Sequence, residues 1–241
     1  MILGGTAEGR RLAAALPDAM VSLAGRTERP ALSDRTRRGG FGGAEGLASF
    51  LRQSQVTAVL DATHPFAGQM HHNAAAACAE TGTPLLRVER PSWAAHPDAE
   101  GWSWVAGHEE AAGEAAKTCG PVFLTVGRQH TLDYVGQLAH RAVVARLVEA
   151  PAGALPPSWR LLTARGPFSL DGERALFREH RFGCLVTKDS GGPHTDAKLT
   201  AAAEAGATVV MIRRPQAPPG VATVGSVDAA LEWVAHLPTP T

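Results

Sequence analysis

Residues able to grip a phosphate or a carboxylate, or to move a proton, gather in a few short turns of this chain. The first is Gly4-Gly5-Thr6-Ala7-Glu8-Gly9-Arg10, which follows the apolar Met1-Ile2-Leu3 and precedes an alanine-rich stretch. A strand, a glycine turn and a helix start together make a phosphate cradle. Glycine lets a ligand approach the backbone, and the helix N-terminus offers unpaired N–H groups and the positive end of its dipole. Gly4, Gly5, Thr6 and Gly9 are therefore candidate cofactor-binding residues. The spacing departs from G-x-G-x-x-G, because Thr6 stands at the second glycine. An ordinary strand-to-helix turn is the competing reading. Arg26 and Thr27 follow the next apolar run. At that place an acid favours the free 2′-hydroxyl of NAD and an arginine accommodates the 2′-phosphate of NADP. Arg26 thus points to NADPH, against the alternative of a solvated loop arginine.

Arg35-Thr36-Arg37-Arg38 runs into Gly39-Gly40-Phe41-Gly42-Gly43. This reads as a basic, glycine-rich loop that can wrap a flat ligand while its arginines grip phosphate or carboxylate in bidentate fashion. A plain surface loop competes. Asp61-Ala62-Thr63-His64-Pro65-Phe66-Ala67 lies between a buried run and a helical one, the place where open α/β sheets bind ligands. Thr63 and His64 are candidates to touch cofactor or substrate, and His64 to handle a proton; a capping histidine is the alternative. His71 and His72 are adjacent, so on a helix they diverge, and no metal site is expected with His64. Further along come Val126-Gly127-Arg128-Gln129, Thr163-Ala164-Arg165-Gly166-Pro167-Phe168 and Thr187-Lys188-Asp189-Ser190-Gly191-Gly192. Lys188 and Ser190 beside open backbone N–H groups suit an anion. Asp189-Ser190-Gly191-Gly192-Pro193 also resembles the nucleophile loop of trypsin-like serine proteases, a serine hydrolase reading at Ser190. His64 even precedes it, as that family's order requires, but the family is secreted, disulfide-bearing and built of β-barrels, whereas this chain alternates strand with helix and reads as cytosolic by its cysteines.

These turns need elements to hold them. Short apolar runs alternate with alanine-rich helical patterns, the signature of parallel sheets flanked by helices. Strands are expected at Met1–Leu3, Ala19–Leu23, Ala58–Asp61, Leu85–Val88, Trp102–Val105, Val122–Val126, Ala142–Arg146, Arg160–Thr163, Leu185–Thr187 and Thr208–Ile212. Helices are expected at Ala7–Leu16, Ala44–Arg52, Gly68–Glu80, Glu109–Thr118, Leu132–Leu138, Asp171–His180, Asp196–Ala205 and Ser226–His236. A helix stop at Cys119-Gly120-Pro121 suggests two doubly wound α/β units, residues 1–119 and 120–241. The chain has 241 residues, 44% hydrophobic content and a formal net charge of zero, which gives no reason to expect nucleic acid or an anionic membrane as partner. Three dispersed cysteines, no leader and no long apolar run fit a cytoplasmic protein.

Taken in order, the segments ILGGTAEGR, LAGRT, GGFGG, DATHPFA, RVERPSW, FLTVGRQ, ARGPF, VTKDSGG and MIRRP resemble the precorrin-6A reductase family of cobalamin biosynthesis, over almost the whole chain. The resemblance implies two Rossmann-like domains with parallel sheets and an active site in the cleft between them. It implies reduction of one double bond of the precorrin-6A macrocycle by a reduced nicotinamide, giving precorrin-6B. On that footing Gly4, Gly5, Thr6 and Gly9 hold the pyrophosphate region, Arg26 and Thr27 the 2′-phosphate of NADPH, and Thr63 and His64 the nicotinamide side. Arg37, Arg38, Arg128, Arg165 and Lys188, with Ser190 and Gly191, receive a flat tetrapyrrole carrying many carboxylates. His64, Lys188 and Asp189 are candidate proton donors, beside solvent or a substrate carboxylate. Handover from other enzymes of that pathway is a further expectation. A non-catalytic nucleotide-binding or sensor module of the same fold is the alternative from another class.

Overall fold

The computed structural model describes residues 1–23, 35–192 and 196–238. They form two α/β units, one of residues 1–91 and 215–241 and one of residues 92–214. In chain order the elements of the first unit are β1 (Ile2–Leu3), α1 (Ala7–Ala15), β2 (Val21–Leu23), β3 (Thr36–Arg38), α2 (Gly43–Gln53), β4 (Val59–Asp61), α3 (Gly68–Thr81) and β5 (Leu85–Val88). The second unit holds β6 (Ser103–Val105), α4 (His108–Lys117), β7 (Val122–Leu124), α5 (Val135–Leu138), β8 (Val143–Leu147), β9 (Trp159–Thr163), α6 (Leu170–His180), β10 (Cys184–Lys188), α7 (Ala197–Glu204) and β11 (Thr208–Ile212). The chain then returns to the first unit with β12 (Ala222–Val224) and α8 (Val227–Ala235).

Among the described residues every strand pairing is parallel. The first sheet runs β12-β5-β4-β1-β2-β3 and the second β6-β11-β10-β7-β8-β9. Each is a doubly wound sheet whose strand order reverses once, between β1 and β4 and between β7 and β10. Parallel sheets must be covered on both faces, and the side chains show it. Ile2, Leu60, Leu86 and Val88 pack with Leu12, Val227 and Ala230 on the α1 and α8 face. Leu3 and Val59 pack with Leu47, Leu51, Ala74 and Ala77 on the α2 and α3 face. In the second unit Phe123, Leu185 and Met211 meet Phe177, Phe182 and Leu199, with Trp93 and Trp102 in the same cluster. Thr6, Ser169 and Ser226 cap α1, α6 and α8 by accepting from the N–H three residues on, each cap contributing about 1 kcal/mol.

The expected boundary at residues 119 and 120 is corrected by strand pairing. β6 pairs with β11, so residues 103–119 belong to the second unit; β12 pairs with β5, so the last helix belongs to the first. Each sheet takes its sixth strand from the other half of the chain. Gly120-Pro121 ends a helix but not a unit, because helix-stop signals are local and strand partners are not. Two strands were not expected, β3 and β12. Both lie at sheet edges and are polar or half-exposed, so neither has the apolar run that marks a buried strand. Leu132–Leu138, expected as one helix, is a 3-10 turn at Thr131–Tyr134 followed by the single turn of α5. Parallel α/β sheets also remove the β-barrel scaffold that the serine hydrolase reading of Ser190 needs. Among the described residues no helix is long and apolar enough to cross a membrane.

Candidate functional site

In each unit two turns leave the carboxyl ends of the strands where the order reverses, the crevice in which open α/β sheets bind ligands. In the first unit these are the turns after β1 and β4, side by side because Leu3 pairs with Asp61. Thr6 joins them. Its hydroxyl accepts from Gly9 N–H at 3.1 Å and donates to the Ala62 carbonyl at 2.7 Å. Thr6 thus shapes the cradle with a hydroxyl already committed on both sides. Gly9 packs tightly: a Cβ there would stand 3.1 Å from Gly4 Cα. Gly5 has φ +121° and nothing within 4 Å of the place a Cβ would take, so the backbone is open just before the nine-residue α1. This is the opening a phosphate needs, and the residues fit the pyrophosphate of a nicotinamide dinucleotide. Glu8 in the first helical turn lies 3.7 Å from Arg90.

Asp61 sets the second turn. Its Oδ1 accepts from Thr63 N–H at 3.1 Å and from Thr63 Oγ1 at 2.7 Å. His64 Nδ1 accepts from Phe66 N–H at 3.1 Å, which makes the ring neutral with its proton on Nε2. His71 is buried with Nε2 at 3.8 Å from Asp61 Oδ2, and burial lowers its pKa. His72 lies exposed, its Nδ1 at Gly68 O. Among the described residues no group of three His, Cys, Asp or Glu side chains could hold a metal ion. Arg26 and Thr27 lie outside the described residues.

Arg37 is not placed as expected. It lies on β3, with Nη1 and Nη2 donating to the carbonyls of Gly39 and Gly40, both at 2.7 Å, and its guanidinium 3.9 Å from the centre of the Phe41 ring. Both ends of the fork and one face are in use, so Arg37 shapes the glycine loop. Arg38 ends the same strand and is exposed.

In the second unit the turns after β7 and β10 meet. A Cβ at Gly127 would stand 3.6 Å from Lys188 Nζ, so the ammonium lies over the Gly127 turn. Burial pushes the Lys188 pKa down to about 8, close enough to neutrality for a proton to leave or return. Gly191 and Gly192 continue the loop at φ +66° and +74°, and Ser190 N–H donates to Lys188 O at 2.6 Å. Arg128 pairs with Glu149 at 2.8 Å, and Arg165 is exposed beyond β9. Asp189 is 3% exposed. Its carboxylate accepts from Ser92 Oγ at 2.6 Å and Trp93 N–H at 2.9 Å, with Arg214 Nε at 3.1 Å. Three partners engage the carboxylate, the geometry of an anchor.

Several charged groups under these turns escaped the sequence reading. Arg146 and Glu173 pair at 2.6 Å with side chains 8% and 1% exposed, and Arg146 lies 3.7 Å from the centre of the Phe168 ring. Lys198 is buried, its pKa pushed down to about 7 by burial and then by Arg146. His108 Nδ1 lies 3.0 Å from Tyr134 Oη and its ring stacks on His130 at 3.9 Å. Burial, then His130 and Lys188, hold His108 down to about 4. Arg87 is 3% exposed and pairs with Glu89 at 3.1 Å. The available signal was a lone charge inside an apolar strand, as in Leu85-Leu86-Arg87-Val88 and Val143-Val144-Ala145-Arg146-Leu147, since such residues are rarely buried without a purpose.

Comparison with known proteins gives the family. The family model described as precorrin-6x reductase CbiJ/CobK matches residues 1–235. The chain is 47% identical to a precorrin-6A reductase of Rhodococcus erythropolis, over 98% of this chain and 97% of that one. It is 46% identical to the precorrin-6A reductase of Mycobacterium tuberculosis strain H37Rv, over 99% and 98%. A solved structure titled CobK precorrin-6A reductase superposes with a TM-score of 0.85 at 39% identity, covering 97% of this chain and 94% of that one. A family model matched along nearly the whole chain, with relatives this similar over their full length, shows that the chain belongs to the precorrin-6x reductase family CbiJ/CobK.

Proposed function

We propose that this chain reduces one double bond of precorrin-6A to give precorrin-6B in cobalamin biosynthesis, with NADPH as reductant and in the cytoplasm. Beyond the family match, the observation that carries the reading is the pairing of unlike turns. One switch point offers an open backbone cradle at Gly5, the other a buried ammonium at Lys188 over Gly127. The first suits a dinucleotide and the second a ring bearing carboxylates. NADPH, when bound, supplies the hydride. The protein has to orient two flat partners and exclude water.

Gly4, Gly5 and Gly9 hold the pyrophosphate, with Thr6 bracing the turn, and Arg26 with Thr27 holds the 2′-phosphate. Thr63 and His64 line the nicotinamide side. Lys188, Arg38, Arg128 and Arg165 receive substrate carboxylates beside Ser190 and Gly191. Of the three candidate donors, Lys188 best suits the proton delivered to the neighbouring carbon, because its pKa of about 8 keeps it protonated yet labile at neutral pH. His64 Nδ1 is taken up by Phe66 N–H, and the Asp189 carboxylate is engaged by Ser92, Trp93 and Arg214.

The test is a titration with NADPH and NADH followed by tryptophan fluorescence, then turnover with precorrin-6A. Preference for NADPH, lost in Arg26→Ala with a penalty of about 1–3 kcal/mol for NADPH alone, supports the reading. Equal loss for both cofactors removes Arg26 from the 2′-phosphate. Tight NADPH binding without turnover would replace the reductase by the sensor module.

A further inference from the structure

Two of the family-like segments have so far been given no chemistry: Arg87-Val88-Glu89-Arg90-Pro91-Ser92-Trp93 and Met211-Ile212-Arg213-Arg214-Pro215. They are the two places where the chain passes between units, at 91/92 and 214/215. Both converge on Asp189. Oδ2 accepts from Ser92 Oγ at 2.6 Å and lies 3.1 Å from Arg214 Nε, and Oδ1 accepts from Trp93 N–H at 2.9 Å. The Asp189 carbonyl accepts from Arg214 Nε at 2.9 Å, and its N–H donates to Ile212 O at 2.9 Å. The partners lie 97 residues before and 25 residues after Asp189, and they are the first and last residues of the unit. Trp93 is buried, its ring centre 4.8 Å from Lys198 Nζ.

A buried carboxylate must be paired, and breaking its pairs is costly. Asp189 sits between Lys188 and the Ser190-Gly191-Gly192 loop, whose two glycines have positive φ and impose little order themselves. We infer that Asp189 is a positioning residue that fixes the Lys188–Gly192 loop to both chain crossings, so that Ser92, Trp93 and Arg214 set where the Lys188 ammonium stands. The kinetic consequence rests on the proposed role of Lys188; the linkage itself does not.

Two readouts on Asp189→Ala, Asp189→Asn, Ser92→Ala and Arg214→Gln separate these. The first is amide hydrogen exchange of the full chain without ligand. Asp189→Ala should speed exchange about tenfold or more in both 89–94 and 188–192, with Ser92→Ala and Arg214→Gln acting on the same two segments more weakly. The second is steady-state kinetics: KM for the tetrapyrrole should rise about tenfold in Asp189→Ala, less in Asp189→Asn, with NADPH affinity within about twofold of wild type. Wild-type exchange at 188–192 in Ser92→Ala and Arg214→Gln would overturn the linkage, and those two variants decide it even if Asp189→Ala fails to fold. Faster exchange with unchanged KM would overturn the positioning role. Absence of turnover in the wild-type protein would overturn the proposed function and leave the exchange arm to decide the linkage.

Discussion

The two switch points share a topology and differ in chemistry. In the first unit the turns after β1 and β4 are knit by hydrogen bonds, Thr6 to Ala62 and Gly9, and Thr63 to the Asp61 carboxylate. At Gly5 what remains for a ligand is open backbone and space. In the second unit no regular helix follows β7; a 3-10 turn and the four residues of α5 stand there instead. A short helix offers little dipole, and the positive character comes from buried side chains, Lys188 above Gly127 with Lys198 and Arg146 behind it. Sheets with the same strand order therefore offer anions two different receptors. A backbone cradle suits a phosphate ester of fixed geometry. A partly desolvated ammonium suits a carboxylate and can also give up a proton.

The contrast can be attacked from its largest consequence to its smallest. Glu173 is 2% exposed and neutralises Arg146. Glu173→Ala should cost about 3–5 kcal/mol by leaving a buried cation unpaired, read as a lower midpoint in denaturant unfolding; a loss under about 1 kcal/mol would show that Arg146 finds other compensation. Lys188→Ala should cut kcat/KM for the tetrapyrrole about 10–100-fold, the worth of a charge-assisted contact, with NADPH affinity unchanged. The same lysine sets a pH limb. Wild-type kcat/KM should fall as pH rises through about 8, where the ammonium is lost, and Lys188→Ala should flatten that limb. Folding has the opposite sign. Lys188 has a depressed value of about 8 against an ordinary 10.5, so the unfolded chain binds more protons in that window, and this residue's contribution to stability grows as pH rises across it.

Gly5→Val should weaken NADPH about tenfold, since φ +121° disfavours a side chain and the side chain fills the cradle; tetrapyrrole KM should hold, and equal damage to both ligands would dissolve the distinction between units. Arg37→Ala should have the smallest effect, about 1 kcal/mol of stability from its hydrogen bonds and ring contact. A large, salt-dependent rise in tetrapyrrole KM would return Arg37 to the substrate site.

Much of this was legible in the sequence, for physical reasons. Buried parallel strands are continuous apolar runs, so β4, β7, β10 and β11 stand out, and the glycine turns mark their carboxyl ends. Edge strands carry no such signal, which hid β3 and turned Arg37 from a strand residue into a supposed loop ligand. Strand partners are also invisible locally, which hid the exchange of β6 and β12 and moved the boundary. Asp189 is a candidate proton donor in the sequence, and its partners Ser92 and Arg214, which make it an anchor, lie far away along the chain. Lys188 needed only its place at a strand end.

The division of labour between the units is tested most directly by measuring NADPH affinity and tetrapyrrole KM for Gly5→Val and Lys188→Ala side by side. Gly5→Val should shift only the NADPH constant and Lys188→Ala only the tetrapyrrole constant. If either variant moves both constants equally, the two switch points do not serve separate ligands.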